Sequence, residues 1–144
     1  MTSPNLANLA NLASIGKLKT GPASGQEIAG LIESGRERLI DARNEALSLN
    51  SRFDLAYNAS HALALAALRW HGYRSASRFL VFQCLPHSVG MASEQWRLFA
   101  LCHERRNVSE YEGFLDVEER LVSDLIEMTE LLLAKVEFLG EKDQ

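Results

Sequence analysis

Between Cys102 and Gly113 the chain reads Cys102-His103-Glu104-Arg105-Arg106-Asn107-Val108-Ser109-Glu110-Tyr111-Glu112-Gly113. An imidazole, two guanidiniums, an amide, a phenol and several carboxylates are gathered there in little more than three helical turns. Trp96, Phe99, Ala100 and His103 recur at i, i+3, i+4 and i+7, which predicts a helix whose core-facing side delivers Arg106 and Asn107 one turn later. A half-buried guanidinium carries five donors in a rigid fork and no acceptor, so it calls for a carboxylate or a phosphate. Two readings follow. Arg106 pairs with Glu110 at i, i+4 and ties one turn to the next, which is worth a few tenths of a kcal/mol; or the segment binds an anion.

Such residues need a frame to hold them. A chain of 144 residues, 47% hydrophobic and 24% charged, has the ordinary globular mix and room for one core. The longest apolar run, Ala62 to Leu68, is far short of the roughly 20 residues that cross a bilayer, and the first residues show no secretory pattern. Membrane association is not expected, and a cytoplasmic protein with reduced thiols at Cys84 and Cys102 is. The net charge of −4 is unevenly spread: residues 43–106 carry eight arginines, no lysine and a balance of +4, whereas residues 107–144 balance at −8. The acidic end argues against wholesale nucleic-acid coating, while the arginines suit planar recognition of phosphate or carboxylate in a local cleft.

In chain order, residues 1–23 read as a flexible or partner-bound tail with a Leu-Ala-Asn repeat, cut off by Gly16, Gly21 and Pro22. A capping box at Ser24 and Glu27 opens the first expected helix, whose stripe Ile28, Leu31, Ile32, Gly35, Leu39, Ala42, Ala46 and Leu49 lasts about six turns. The second, from about Arg52 to Trp70, is apolar nearly all round and therefore central, with Asn58 and His61 as polar exceptions. Ser75 is expected to cap a third that Pro86 stops, and Ser93 a fourth that carries the opening segment. A capping box at Asp116 to Glu119 starts the fifth, with core stripe Leu121, Leu125, Met128, Leu132 and Leu139 and wet face Glu127, Glu130, Glu137 and Glu141. No period-two alternation occurs, so the expectation is an all-α, up-and-down bundle of about five helices spanning residues 24–144.

Familiar chemistry is missing. There is no phosphate-binding glycine loop, paired Cys-x-x-Cys, His-Glu-x-x-His or calcium loop, and no Glu-x-x-His pair for a di-iron bundle, so neither metal nor cofactor is expected.

Two stretches resemble the HEPN superfamily, small all-α domains named for higher eukaryotes and prokaryotes nucleotide-binding. Phe53-Asp54-Leu55-Ala56-Tyr57-Asn58-Ala59-Ser60-His61-Ala62 through His71-Gly72-Tyr73-Arg74 is similar to the family's alanine-rich central helix and its glycine turn. Trp96 to Glu119 is similar to its tryptophan-led helix with Arg-Asn, three variable residues and a histidine. In the ribonuclease members Arg-x(4–6)-His cleaves RNA without metal, histidine moving protons and arginine holding the phosphorane charge, with two motifs brought to one cleft by dimerisation. Carried over, Arg106 and Asn107 match, but the histidine position is Tyr111, whose phenol titrates near pH 10 and is a poor base.

The resemblance implies RNA or nucleotide as ligand, a homodimer, and an antitoxin or nucleotidyltransferase-like protein as partner. Catalysis would fall to Arg106, Asn107, Tyr111 and His103, the last lying one turn before Arg106. Arg105, Tyr57, Asn58, His61 and Glu110 would bind ligand, the site lying at the junction of the fourth and fifth expected helices. The alternatives are a non-cleaving domain that holds a phosphate through Arg105, Arg106 and Asn107, and a dimeric interaction module in which Arg106, Glu110 and Tyr111 satisfy one another.

Overall fold

The computed structural model describes residues 4–142. Seven helices and one minimal two-stranded sheet form an all-α bundle. In chain order they are α1 (Pro4–Ser14), β1 (Lys19–Thr20), α2 (Gly25–Ala42), α3 (Leu49–Trp70), β2 (Tyr73–Arg74), α4 (Arg78–Gln83), α5 (Leu85–Ser88), α6 (Ser93–Glu112) and α7 (Glu119–Lys142).

The central helix is α3, as its composition predicts. Phe53, Ala56, Tyr57, Ala59, Leu63, Ala64, Ala66, Ala67 and Leu68 are all fully buried, and the small residues let α2 approach closely. At the crossing, a Cβ on Gly35 of α2 would lie 2.6 Å from Leu63 Cγ, so only glycine fits there. On its other side α7 contributes Leu125, Leu132 and Val136 to the same core. The acidic face of α7 is partly paired: Arg43 Nε meets Glu130 Oε1 at 2.8 Å and Arg36 Nη2 meets Glu137 Oε2 at 3.5 Å.

Several boundaries depart from the expectation. Helix α2 ends at Ala42, because Arg52 Nε donates to the Ala42 carbonyl at 2.8 Å and the Asn44 carboxamide turns the chain by accepting from Ala46 N. Ala46 and Leu49 therefore leave its stripe, and Ser48 caps α3 by accepting from Ser51 N. At the start of α2 Ser24 accepts from Glu27 N, yet the Glu27 carboxylate goes to the buried Arg69 instead of back to the cap. A buried guanidinium demands that charge more than a solvated amide does. The expected third helix is two: Ser77, not Ser75, caps α4, and Pro86 sits in the first turn of α5, where a missing N–H costs nothing. Ala92 precedes α6, its N–H bonded to Gln95 Oε1, and Gly113 ends α6 at φ +80°.

The largest correction concerns the expected tail. Residues 4–14 form α1, Leu9 and Leu18 are buried, and β1 pairs antiparallel with β2. The leucine period drifts around a free helix, but α1 touches the body only through part of its surface, where α5 packs, so a drifting stripe suffices. No helix among the described residues is long and apolar enough to cross a membrane.

Candidate functional site

The side chains that could do chemistry converge where α3, α4 and α6 meet. On α3 the spacing of Asp54, Tyr57, Asn58 and His61 puts all four on adjoining strips of one face. On α6 His103, Arg106, Asn107 and Glu110 follow the same rule. Tyr57 is fully buried, its ring between Phe53 and Phe82 at centroid distances of 6.3 and 6.0 Å, and its hydroxyl reaches His103 Nδ1 at 2.8 Å. The other ring nitrogen, Nε2, lies 3.1 Å from Asn107 Nδ2. An amide N–H can only donate, so Nε2 is the acceptor, Nδ1 carries the proton, and the Tyr57 oxygen accepts it. One tautomer is held from both sides.

Two guanidiniums flank this imidazole. Arg106 Cζ lies 5.2 Å and Arg78 Cζ 5.6 Å from the Tyr57 ring centroid, both within cation–π range. Arg106 Nε is 3.8 Å from Asp54 Oδ1 and its Nη1 3.7 Å from Glu110 Oε1, distances of ion pairs but not of hydrogen bonds. Arg78 donates to the neutral Asn58 Oδ1 at 3.1 Å and forms no ion pair among the described residues. The fork of each arginine thus keeps donors to spare.

The charge balance acts on the histidines. Burial, then Arg78 and Arg106, lower the His103 pKa, against a smaller opposing pull from Glu110. Burial first, then Arg78, His103 and Arg106, bring His61 down to about 4. Both imidazoles are neutral at pH 7, and His103 is the one beside open space. A groove of about 640 Å³ is lined by Phe79, Arg97, Leu101, His103 and Asn107 among others. Phe79 stands at its edge, its ring 6.3 Å from that of His103. The cysteines take no part: burial pushes the Cys84 and Cys102 thiols up to about 11 and about 12. No cluster of metal-ligating side chains occurs among the described residues.

Of the residues singled out in the sequence, Tyr57, Asn58, His103, Arg106, Asn107 and Glu110 come together, and His61 joins them through charge. Two do not. Tyr111 is 94% exposed, and no hydrogen bond joins it to Arg106 or His103 among the described residues. Arg105 donates to the Asp116 carbonyl at 3.2 Å and braces the α6–α7 connection. The cluster accordingly lies between α3, α4 and α6 and not at the α6–α7 junction. Sequence reasoning missed Arg78, Asp54 and Phe79. Arg78 belongs to the arginine-only segment, but nothing in its spacing ties it to Asn58, twenty residues earlier.

Compared with known proteins, the chain matches no protein-family model and no curated protein.

Proposed function

We propose that the chain is a HEPN-like RNA-binding domain that cleaves RNA without metal, with His103 in place of the histidine that the resemblance leads one to expect at position 111. The observation that carries this reading is the single neutral tautomer of His103, whose Nε2 lone pair is held only by the Asn107 amide beside the groove, with Arg106 and Arg78 close by. A ribose 2′-hydroxyl would displace the Asn107 amide from Nε2 and give up its proton there. The alkoxide oxygen then attacks the adjacent phosphorus, and the 5′-oxygen leaves and takes a proton from the imidazolium. Guanidinium donors from Arg106 and Arg78 offset the charge on the phosphorane oxygens. Phe79 offers a face on which a base can stack, and Arg97 a further phosphate contact. A homodimer, and an antitoxin or nucleotidyltransferase-like protein as partner, belong to the same proposal.

Total RNA incubated in EDTA with wild type, His103→Ala and Arg106→Ala tests it. Cleavage to 2′,3′-cyclic phosphate ends by wild type, lost in both variants, is the expected result. Undiminished cleavage by His103→Ala would sink the assignment of the base.

A non-catalytic dimeric interaction module is the second reading. It is favoured by Val108, Tyr111 and Phe114, three large side chains exposed by 43, 94 and 63% around the end of α6. A folded dimer without any cleavage, turned monomeric by Tyr111→Ser with Phe114→Ser, would favour it.

A further inference from the structure

A second cationic concavity lies on the far side of the β2–α4 connection. In the β1–β2 pair Lys19 stands directly opposite Arg74. Like charges facing each other across an antiparallel pair are destabilising, and Lys17 adds a third cation to the same wall. Among the described residues no carboxylate forms an ion pair with Lys17, Lys19 or Arg74. The acid that lines the concavity, Glu27, is already engaged, accepting from Arg69 Nε at 3.0 Å and Nη2 at 3.4 Å. Arg69 in turn is buried and directs its remaining donors to the carbonyls of Gly21, Pro22 and Tyr73, so it closes the floor as a further cation, and the Glu27 carboxylate it holds attracts Arg74 only weakly by comparison.

The concavity measures about 380 Å³, and Leu65 and Ala76 give it an apolar wall. Ser75 Oγ accepts from Ser77 N, which leaves its hydroxyl proton for a ligand. Pockets for small molecules run from roughly 300 to 1,000 Å³, apolar with a few convergent polar groups. A phosphate dianion supplies both missing parts, the negative charge that Glu27, shared between Arg69 and Arg74, leaves short, and acceptors for the N–H groups of Lys17, Lys19 and Arg74.

We propose that the pocket formed by Lys17, Lys19, Arg74 and Ser75 binds a phosphate dianion, free or as the monoester end of a small ligand of mononucleotide size. This site is independent of the His103 chemistry. Leu65 is a full turn beyond His61 on α3, and no residue is shared between the two sets.

Thermal unfolding of the full chain tests the proposal, with inorganic phosphate, 5′-AMP, or sodium chloride at matched ionic strength. The proteins are wild type, the double variant Lys19→Ala with Arg74→Ala, and Arg106→Ala. At about a hundredfold excess over Kd, phosphate or AMP should raise the wild-type midpoint by about 9 °C more than chloride does. The double variant, with exposed positions changed, should fold, unfold no lower than wild type in phosphate-free buffer, and respond alike to all three salts. Arg106→Ala should keep the wild-type response. Equal shifts from phosphate and AMP identify the free ion as the ligand, and a larger shift from AMP identifies the monoester. The proposal is overturned if chloride matches phosphate and AMP on wild type, if the double variant retains the extra shift, or if Arg106→Ala alone abolishes it.

Discussion

His103 owes its protonation state to its neighbours. The Tyr57 hydroxyl and the Asn107 amide select the tautomer, and burial with two guanidiniums lowers its pKa below the ordinary 6.5. If Nε2 is the base, cleavage should rise with pH along a limb centred below 6.5 and be level through neutrality; a limb centred at or above that value in the pH–rate profile would contradict the assignment. His61 bears on stability instead. Its folded pKa of about 4 lies below the ordinary 6.5, so between those values the unfolded chain binds the extra proton. The stabilisation is present above pH 6.5 and is lost as pH falls toward 4, to the extent of about 1–2 kcal/mol once solvent screening of this half-buried ring is allowed for. Denaturant midpoints measured from pH 7 to 4 should fall less steeply for His61→Gln than for wild type.

At the scale of elements, α3 is the strut on which both candidate sites hang, and α2 sets how closely it is gripped. Gly35 and Gly30 lie on the same helix but in opposite circumstances. A methyl at Gly35 would run into the fully buried Leu63 side chain, whereas one at Gly30 meets nothing within 4 Å. Gly35→Ala should therefore lose about 1–3 kcal/mol through overpacking. Gly30→Ala should gain about 0.5–1 kcal/mol from helix propensity. Urea unfolding of the two variants checks the opposed signs; a matching loss in both would mean that α2 does not cross α3 where described.

Across the whole molecule, the N-terminal helix and the distribution of charge matter most. Leu9 is fully buried, and Asn8 Nδ2 lies 3.4 Å from His87 Nδ1, so α1 is part of the fold. Leu9→Ala should cost about 2–5 kcal/mol, read from the unfolding midpoint, where a free tail would show no change. The acidic residues after position 106 repel a polyanion at long range, so under the proposed function RNA is held by local clusters of arginines and not by the molecule as a whole. With Arg78, Arg97 and Arg106 each meeting a phosphate, the logarithm of the affinity for single-stranded RNA should fall with the logarithm of salt at a slope of about −2. A slope much steeper, in binding titrations from low to high salt, would mean that a wider surface is engaged.

Periodicity and composition were enough to determine the all-α class, the central place of the alanine-rich helix, and a face of α6 that presents His103, Arg106, Asn107 and Glu110 together. Those properties are local, because 3.6 residues per turn fixes which neighbours share a side. The sequence resemblance pointed to Tyr57, Asn58 and His61 as partners of the α6 segment, and Tyr57 does bond His103 Nδ1. What no spacing contains is the crossing of helices far apart in the chain. Tertiary packing decided that Arg78 comes over Tyr57, that Glu27 leaves its cap for Arg69, and that a drifting leucine repeat folds back as α1. It also decided that Tyr111, a turn beyond Arg106 in sequence, faces solvent. Wherever a side chain is covered, the deciding term is the desolvation of a charge or an apolar group by a distant segment, and that term does not exist until the segments meet.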